Sequence, residues 1–212
     1  MRTIVFATTN PHKIEEVAAI LAPAGFHVIG LDALRSGNQT PDEHIPEPVE
    51  DADTFEGNAR IKAVAYAKAL GEASLADDSG LEVDALGGAP GVHSARYAGS
   101  GNTRKERDAA NNAKLLAALK STNDDARTAR FACAMCLAAP DGTILAETRG
   151  TFEGVIVREP KGTNGFGYDP LLLVPQLGVT SAELSPEEKN ARSHRGAAAR
   201  KLAEYFSRMS ES

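Results

Sequence analysis

Thr3 to Ala7 is a β-branched, apolar run that turns polar at Thr8, after which Ile14, Val17, Ala18 and Leu21 recur at helical spacing. Apolar positions three and four apart share one face of a helix, so the pattern predicts a strand, a turn and an amphipathic helix over His12 to Leu21. Pro23 and Gly25 end that helix and Phe26 to Gly30 supplies a second strand, so the chain opens as a β-α-β unit. From Ser36 to Asp53 the composition shifts to Pro, Gly, Asn and acidic residues. A loop of this length inside a compact domain is more often functional than idle. Asp53-Thr-Phe-Glu56 forms a capping pair for a helix running to about Leu70, and Gly71 stops it.

Ser74 to Ala76 is a short apolar strand that leads into Asp77-Asp78-Ser79-Gly80, and Leu81 to Leu86 alternates like a strand of its own. Gly87 to Gly91 punctuates the middle of the chain, and Arg104 to Lys120 is helical through Leu115, Leu116 and Leu119. The period then changes. Arg127 to Ala139 and Thr143 to Thr151 flank an Asp141-Gly142 turn, which predicts a hairpin, and Phe152 to Val157 and Leu171 to Val174 read as further strands. Ser185-Pro186-Glu187-Glu188 opens a last helix that continues towards Met209. There is no internal repeat and no low-complexity segment. The pattern predicts an α/β fold: a single domain, 1–212, drawn into two lobes, with a long mixed sheet flanked by helices and a cleft between the lobes.

Composition narrows the functional classes. At 212 residues, against roughly 150 per domain, the chain is one large domain or two small lobes. With 23 basic and 29 acidic residues it carries a net charge of -6, which disfavours tracking long nucleic acid. No segment approaches the roughly 18 apolar residues of a membrane span, and the apolar start is too short for a signal peptide. These features predict a soluble, cytoplasmic protein with no membrane partner. Cys133 and Cys136 form a lone CxxC, which admits redox chemistry or half a zinc site. On a strand, however, positions three apart face opposite ways, so two reduced core cysteines are the preferred reading.

Thr8-Thr9-Asn10-Pro11-His12-Lys13 lies where a strand hands over to a helix N-terminus, where free amides and the helix dipole favour phosphate. Asn10 and Pro11 are equally an ordinary cap and first-turn residue. Adjacent carboxylates at Asp77 and Asp78 repel one another unless a cation or donors offset the repulsion. Together with the acidic run Glu47, Glu50, Asp51 and Asp53 they suit magnesium, which takes one or two protein oxygens plus substrate phosphates. Either segment alone reads as a solvated acidic loop or turn; with the phosphate turn they point to a metal-phosphate enzyme. The Gly-rich stretch Lys161 to Pro170 puts Phe166, Tyr168 and Asp169 on a tight loop. An aromatic beside a carboxylate can stack on and hydrogen-bond a nucleobase, although Phe166 packed inward would make the same loop structural. Lys189, His194 and Arg195 lie on or near the last helix, and His93, Arg96 and Tyr97 follow the central Gly/Pro stretch; from pattern alone both groups read as structural.

Five segments in order resemble the inosine triphosphate pyrophosphatase family: TTNPHK at Thr8 to Lys13, TFEGNARIKA at Thr54 to Ala63, ADDSGLEVDALGGAPGVHSARYAG at Ala76 to Gly99, GTNGFGYDP at Gly162 to Pro170, and AELSPEEKNARSHRG at Ala182 to Gly196. The resemblance implies a two-lobed fold, a homodimer, and Mg2+-dependent hydrolysis of deaminated purine nucleoside triphosphates (ITP, dITP, XTP) between the α and β phosphates. It implies that Thr8, Thr9, Asn10 and Lys13 hold the triphosphate with Lys62 as a further cation, and that Ser79 contacts substrate. It gives Asp78 the roles of general base and metal ligand, Glu50 that of a second metal ligand, for which Asp51 or Asp53 could substitute, and Asp77 that of their support. Phe166, Gly167, Tyr168 and Asp169 correspond to the base-binding loop, and Lys189, His194 and Arg195 to residues that close over the nucleotide. Two departures stand out: Thr9 where a smaller residue is common, and Gly57 where an acidic one is common.

A Maf-type nucleotide pyrophosphatase would want an SxSPRR-like N-terminal motif, which is absent. A nucleotide sensor without turnover has no need of Asp77, Asp78 and Lys13 together. A CxxC redox protein conflicts with a buried strand at Cys133.

Overall fold

The computed structural model describes residues 2–35 and 45–210. Of the long loop expected from Ser36 to Asp53, residues 36–44 therefore lie outside the described residues. Strand β1 (Arg2–Phe6), helix α1 (Pro11–Leu21) and strand β2 (Phe26–Gly30) form the expected opening unit, with β1 and β2 parallel and Arg2 registered on Phe26. Helix α1 starts where the sequence requires: Asn10 is extended (φ -80°, ψ 109°), its side chain accepts from the His12 N–H at 3.1 Å, and Pro11 takes the first helical position. A short helix α2 (Leu31–Arg35) follows β2. Helix α3 (Phe55–Leu70) is capped by Thr54, one residue later than Asp53, and Gly71 ends it in the left-handed region at φ 68°.

Strand β3 (Ser74–Val83) corrects the sequence reading. Asp77 to Gly80 is neither a turn nor a strand end but the middle of one ten-residue strand, and Asp84–Leu86 is a 3-10 turn. Gly80 is small because Ser94 packs on it: a Cβ there would collide with the Ser94 side chain, whose Oγ accepts from the Leu81 N–H at 2.8 Å. After helix α4 (Arg104–Ala118), strands β4 (Thr128–Ala138) and β5 (Ile144–Ile156) flank the Asp141-Gly142 turn. The two strands expected between Thr143 and Val157 are one. Strands β6 (Leu172–Val174) and β7 (Val179–Thr180), the latter not anticipated, precede two helices, α5 (Pro186–Arg192) and α6 (His194–Ser210). The single last helix of the sequence reading is broken because Ser193 is extended at ψ 148°.

Among the described residues one seven-stranded sheet runs in the order β2-β1-β3-β4-β5-β6-β7, with parallel pairs at the β1 end and antiparallel pairs at the β6 end, so the sheet is mixed. The chain divides into two compact units. Unit 1 comprises Met1–Asp78, Cys133–Gly150 and His194–Ser212; its core gathers Phe6, Val17, Leu21, Leu75, Met135 and Leu202 between strands and the helices α1 and α6. Unit 2 comprises Ser79–Ala132 and Thr151–Ser193, with a core of Leu81, Val83, Leu115, Phe152, Leu171 and Leu172. Cys133 and Cys136 are free and buried, as expected, and burial pushes the Cys136 thiol up to about 12. Among the described residues no helix is long and apolar enough to cross a membrane.

Candidate active site

In unit 1 the parallel strand β3 delivers Asp77 and Asp78 to opposite faces of the sheet, so adjacent carboxylates meet different partners. Asp77 is 2% exposed. Its Oδ1 accepts from Lys13 Nζ at 2.9 Å and its Oδ2 from Arg195 Nε at 3.1 Å, while the Cys133 Sγ lies 3.8 Å from Oδ2. Burial alone would raise its pKa, but Lys13 and then Arg195 outweigh that cost and hold the carboxyl well below the usual range. Arg195 is buried as well, and its Nη1 donates to Glu16 Oε2 at 3.2 Å. The structure thus ties Arg195 to two carboxylates of unit 1, so its guanidinium anchors Asp77 in addition to any contact with substrate.

Asp78 faces a second group. Its Oδ2 accepts from Asn58 Nδ2 at 3.0 Å, and its Oδ1 lies 4.0 Å from Lys62 Nζ, which is itself 3.3 Å from Glu50 Oε2. Asn58 and Lys62 are four residues apart on α3 and therefore share a face. Asn58 Oδ1 also accepts from the Ala52 N–H at 3.0 Å, so one buried amide fixes both the acidic loop and Asp78. Sequence reasoning did not single out Asn58; the available signal was a polar side chain on the same helical stripe as Lys62. The absence of an acidic side chain at Gly57 has a local cause, because a Cβ there would come within 2.5 Å of the Ala52 Cβ.

The turn from Thr8 to Lys13 links β1 to α1. Thr8 Oγ1 accepts from the Asn10 N–H at 3.2 Å, Thr8 and Asn10 are half-buried, Thr9 is exposed, and Lys13 lies in the first turns of α1. Ser79 follows Asp78 on β3 and belongs to unit 2, and half-buried His194 opens α6 in unit 1.

The Gly-rich loop lies in unit 2. Phe166 is 45% exposed, which removes the alternative that it packs inward; the inward residue is Tyr168, whose hydroxyl donates to the Ser94 carbonyl at 2.8 Å. Burial raises the Tyr168 pKa. Asp169 is 2% exposed and organises the loop: its Oδ2 accepts from the Phe166 N–H at 2.8 Å and from Lys189 Nζ, and its Oδ1 from the Ser181 hydroxyl at 2.8 Å. Lys189 Nζ also lies 5.3 Å from the Phe166 ring centroid.

The order of these segments, and the whole length between them, is matched by known proteins. Residues 4–205 match the Ham1 family. This chain belongs to the Ham1 family. As a Ham1-family chain it is 48% identical over 206 residues to the dITP/XTP pyrophosphatase of Desulforamulus reducens, covering 97% of this chain and 96% of the relative. It is 52% identical over 199 residues to the dITP/XTP pyrophosphatase of Exiguobacterium sp., covering 94% of each. Its fold matches the solved Ham1 protein of Coxiella burnetii with a TM-score of 0.84 at 40% identity, covering both chains fully. The resemblance seen in the five sequence segments is therefore a family relationship, and the α/β fold with a mixed sheet is the family's.

Proposed function

We propose that this Ham1-family chain is a nucleoside triphosphate pyrophosphatase that hydrolyses dITP, ITP and XTP to the monophosphate and pyrophosphate. The observation that carries the reading is the division of labour at Asp77 and Asp78. One carboxylate is locked between Lys13 and Arg195, and its neighbour is held by Asn58 beside Lys62 and Glu50. A buried, cation-saturated Asp77 is a scaffold, which leaves Asp78 as the carboxylate that meets the reacting group.

Among the described residues no set of three or more His, Cys, Asp or Glu is placed to hold a metal by itself. Magnesium does not need such a set, since it takes one or two carboxylates and completes its octahedron with water and phosphate oxygens. Glu50 and Asp78 fit that requirement, because both carboxylates approach one ammonium, that of Lys62. Bound there, Mg2+ would offset the negative charge of the phosphates and fix their geometry. Asp78 accepts the proton of the attacking water, and Asn58 holds the carboxylate in place for that step. Lys13 and Lys62, with the hydroxyls and amides of Thr8, Thr9 and Asn10, hold the triphosphate and stabilise charge developing on the leaving pyrophosphate. Ser79 contributes a hydroxyl to the substrate.

For the base, the exposed Phe166 ring offers a stacking platform, set by Gly167, Tyr168 and Asp169. Lys189, His194 and Arg195 carry N–H donors that satisfy a 6-oxo group and cannot satisfy the 6-amino group of adenine. A mismatch of that kind at a buried site discriminates by about 10^4-fold. A homodimer acting in the cytoplasm on free triphosphates completes the proposal. The test is to measure pyrophosphate and orthophosphate released from dITP, XTP, dGTP and dATP, with Mg2+ and with a chelator. Pyrophosphate from dITP and XTP only, and only with Mg2+, is the expected result; orthophosphate, or equal turnover of all four, would overturn the reading.

A further inference from the structure

Phe166 exposes nearly half of its surface, so its ring is placed by the cations of Arg104 and Lys189 that lie over it and by the backbone beside it. That backbone is gripped from α4. The Gly167 N–H donates to Asp108 Oδ2 at 3.0 Å, and the Gly167 carbonyl accepts from Asn112 Nδ2 at 3.0 Å, so both polar atoms of the residue after Phe166 are held by one helix. Arg104 lies four residues before Asp108, and its guanidinium carbon is 4.3 Å from the Phe166 ring centroid. Residues 104, 108 and 112 are spaced by four and so form one stripe on the helix. All of these residues belong to unit 2.

The amide of Asn112 shows what the stripe is for. Among the described residues its Oδ1 is buried without a hydrogen-bond partner, an arrangement that costs free energy. Turning the amide over would set Oδ1 against the Gly167 carbonyl, acceptor against acceptor, so the orientation follows from the carbonyl's need for a donor. The fold tolerates an orphan acceptor in order to fix this one peptide group. Asp108 supplies the complement, a charged acceptor for an amide N–H, which is the stronger kind of hydrogen bond.

We propose that Asp108 and Asn112 are positioning residues that hold Gly167, and through it Phe166, in the place where the purine stacks. The inference rests on the reading of Phe166 as the base platform. A platform that grips the base equally before and during bond cleavage contributes uniform binding, so loosening it raises KM and spares kcat. A merely structural role has the opposite signature, since it lowers the active fraction and leaves KM alone.

The test compares Asp108→Ala, Asn112→Asp and the conservative Asp108→Asn with wild type, and uses Lys105→Ala on exposed α4 surface as control. Asn112→Asp keeps the side-chain volume and replaces the donor by a carboxylate, so it stays informative should the alanine variant fold poorly. Asp108→Ala and Asn112→Asp are expected to raise KM for dITP about tenfold, the loss of one charge-assisted or one buried bond. Their kcat should stay within about twofold of wild type. Asp108→Asn keeps an acceptor oxygen and should recover most of the loss. The chain contains no tryptophan, so Phe166→Trp makes the loop carry the only indole; adding Asp108→Ala should lower its fluorescence anisotropy. An active wild type with KM unmoved in both variants, or with the loss confined to kcat, overturns this inference alone. A wild type that releases no pyrophosphate from dITP overturns it together with the functional reading.

Discussion

Asp77 stays ionised although it is almost fully enclosed, because a cation approaches each of its oxygens. Its folded pKa lies below the ordinary 3.8, so the group contributes stability that is fully present above pH 3.8 and is lost as pH falls through the folded value. Acid unfolding of the wild type should therefore steepen below pH 3.8, and Asp77→Asn should lack that component when urea midpoints are compared across the range. The same substitution strands the buried guanidinium of Arg195 without one of its carboxylates and should cost about 3 to 5 kcal/mol near neutral pH. A variant as stable as wild type at neutral pH would contradict the scaffold role. Repulsion between adjacent aspartates was legible from the sequence as a demand for cations. Their identity was not fully legible, because Lys13 and Arg195 are 64 and 118 positions away and only the fold brings them to Asp77. Glu16, which shares Arg195, gave no signal at all, since a glutamate on an amphipathic helix reads as solvated surface.

Helix α3 carries both Asn58 and Lys62, so its first turn sets the geometry beside Asp78. Thr54, extended at φ -133° and ψ 152°, accepts from the Gly57 N–H at 3.1 Å and closes that turn. Thr54→Ala should reduce stability by about 1 kcal/mol in denaturant titration and lower activity along with it, whereas Thr54→Ser should keep both. Unchanged stability in the alanine variant would mean that the cap does not hold α3. Elements with a strong local signal, the β-α-β opening, α3, α4 and the β4-β5 hairpin, were legible in the sequence because period and punctuation agree there. The middle of β3 was not. Two aspartates, a serine and a glycine have poor strand propensity, and it is pairing with neighbouring strands and the close approach of Ser94 to Gly80 that keep them extended. The break between α5 and α6 was visible as small and polar residues at Ser193 to Gly196, but helical periodicity on both sides concealed that Ser193 leaves the helical region.

The two units hold different parts of the proposed chemistry. Unit 1 carries the phosphate turn, Asp77, Asp78, Lys62 and Glu50, and unit 2 carries Phe166, Asp169 and the α4 stripe. Two separate hydrophobic cores support them. Substitutions at Asp78 and Asn58 should accordingly act on turnover, and those around Phe166 on KM. Asp78→Asn tests the central claim most directly, because it removes the carboxylate proposed to accept the proton and to hold Mg2+ with Glu50, and preserves the side-chain shape beside Asn58. Binding of dITP with Mg2+, followed by calorimetry, should stay within about tenfold of wild type while pyrophosphate release falls by at least about 10^2-fold. Release within a few-fold of wild type would place the general base elsewhere and contradict the account.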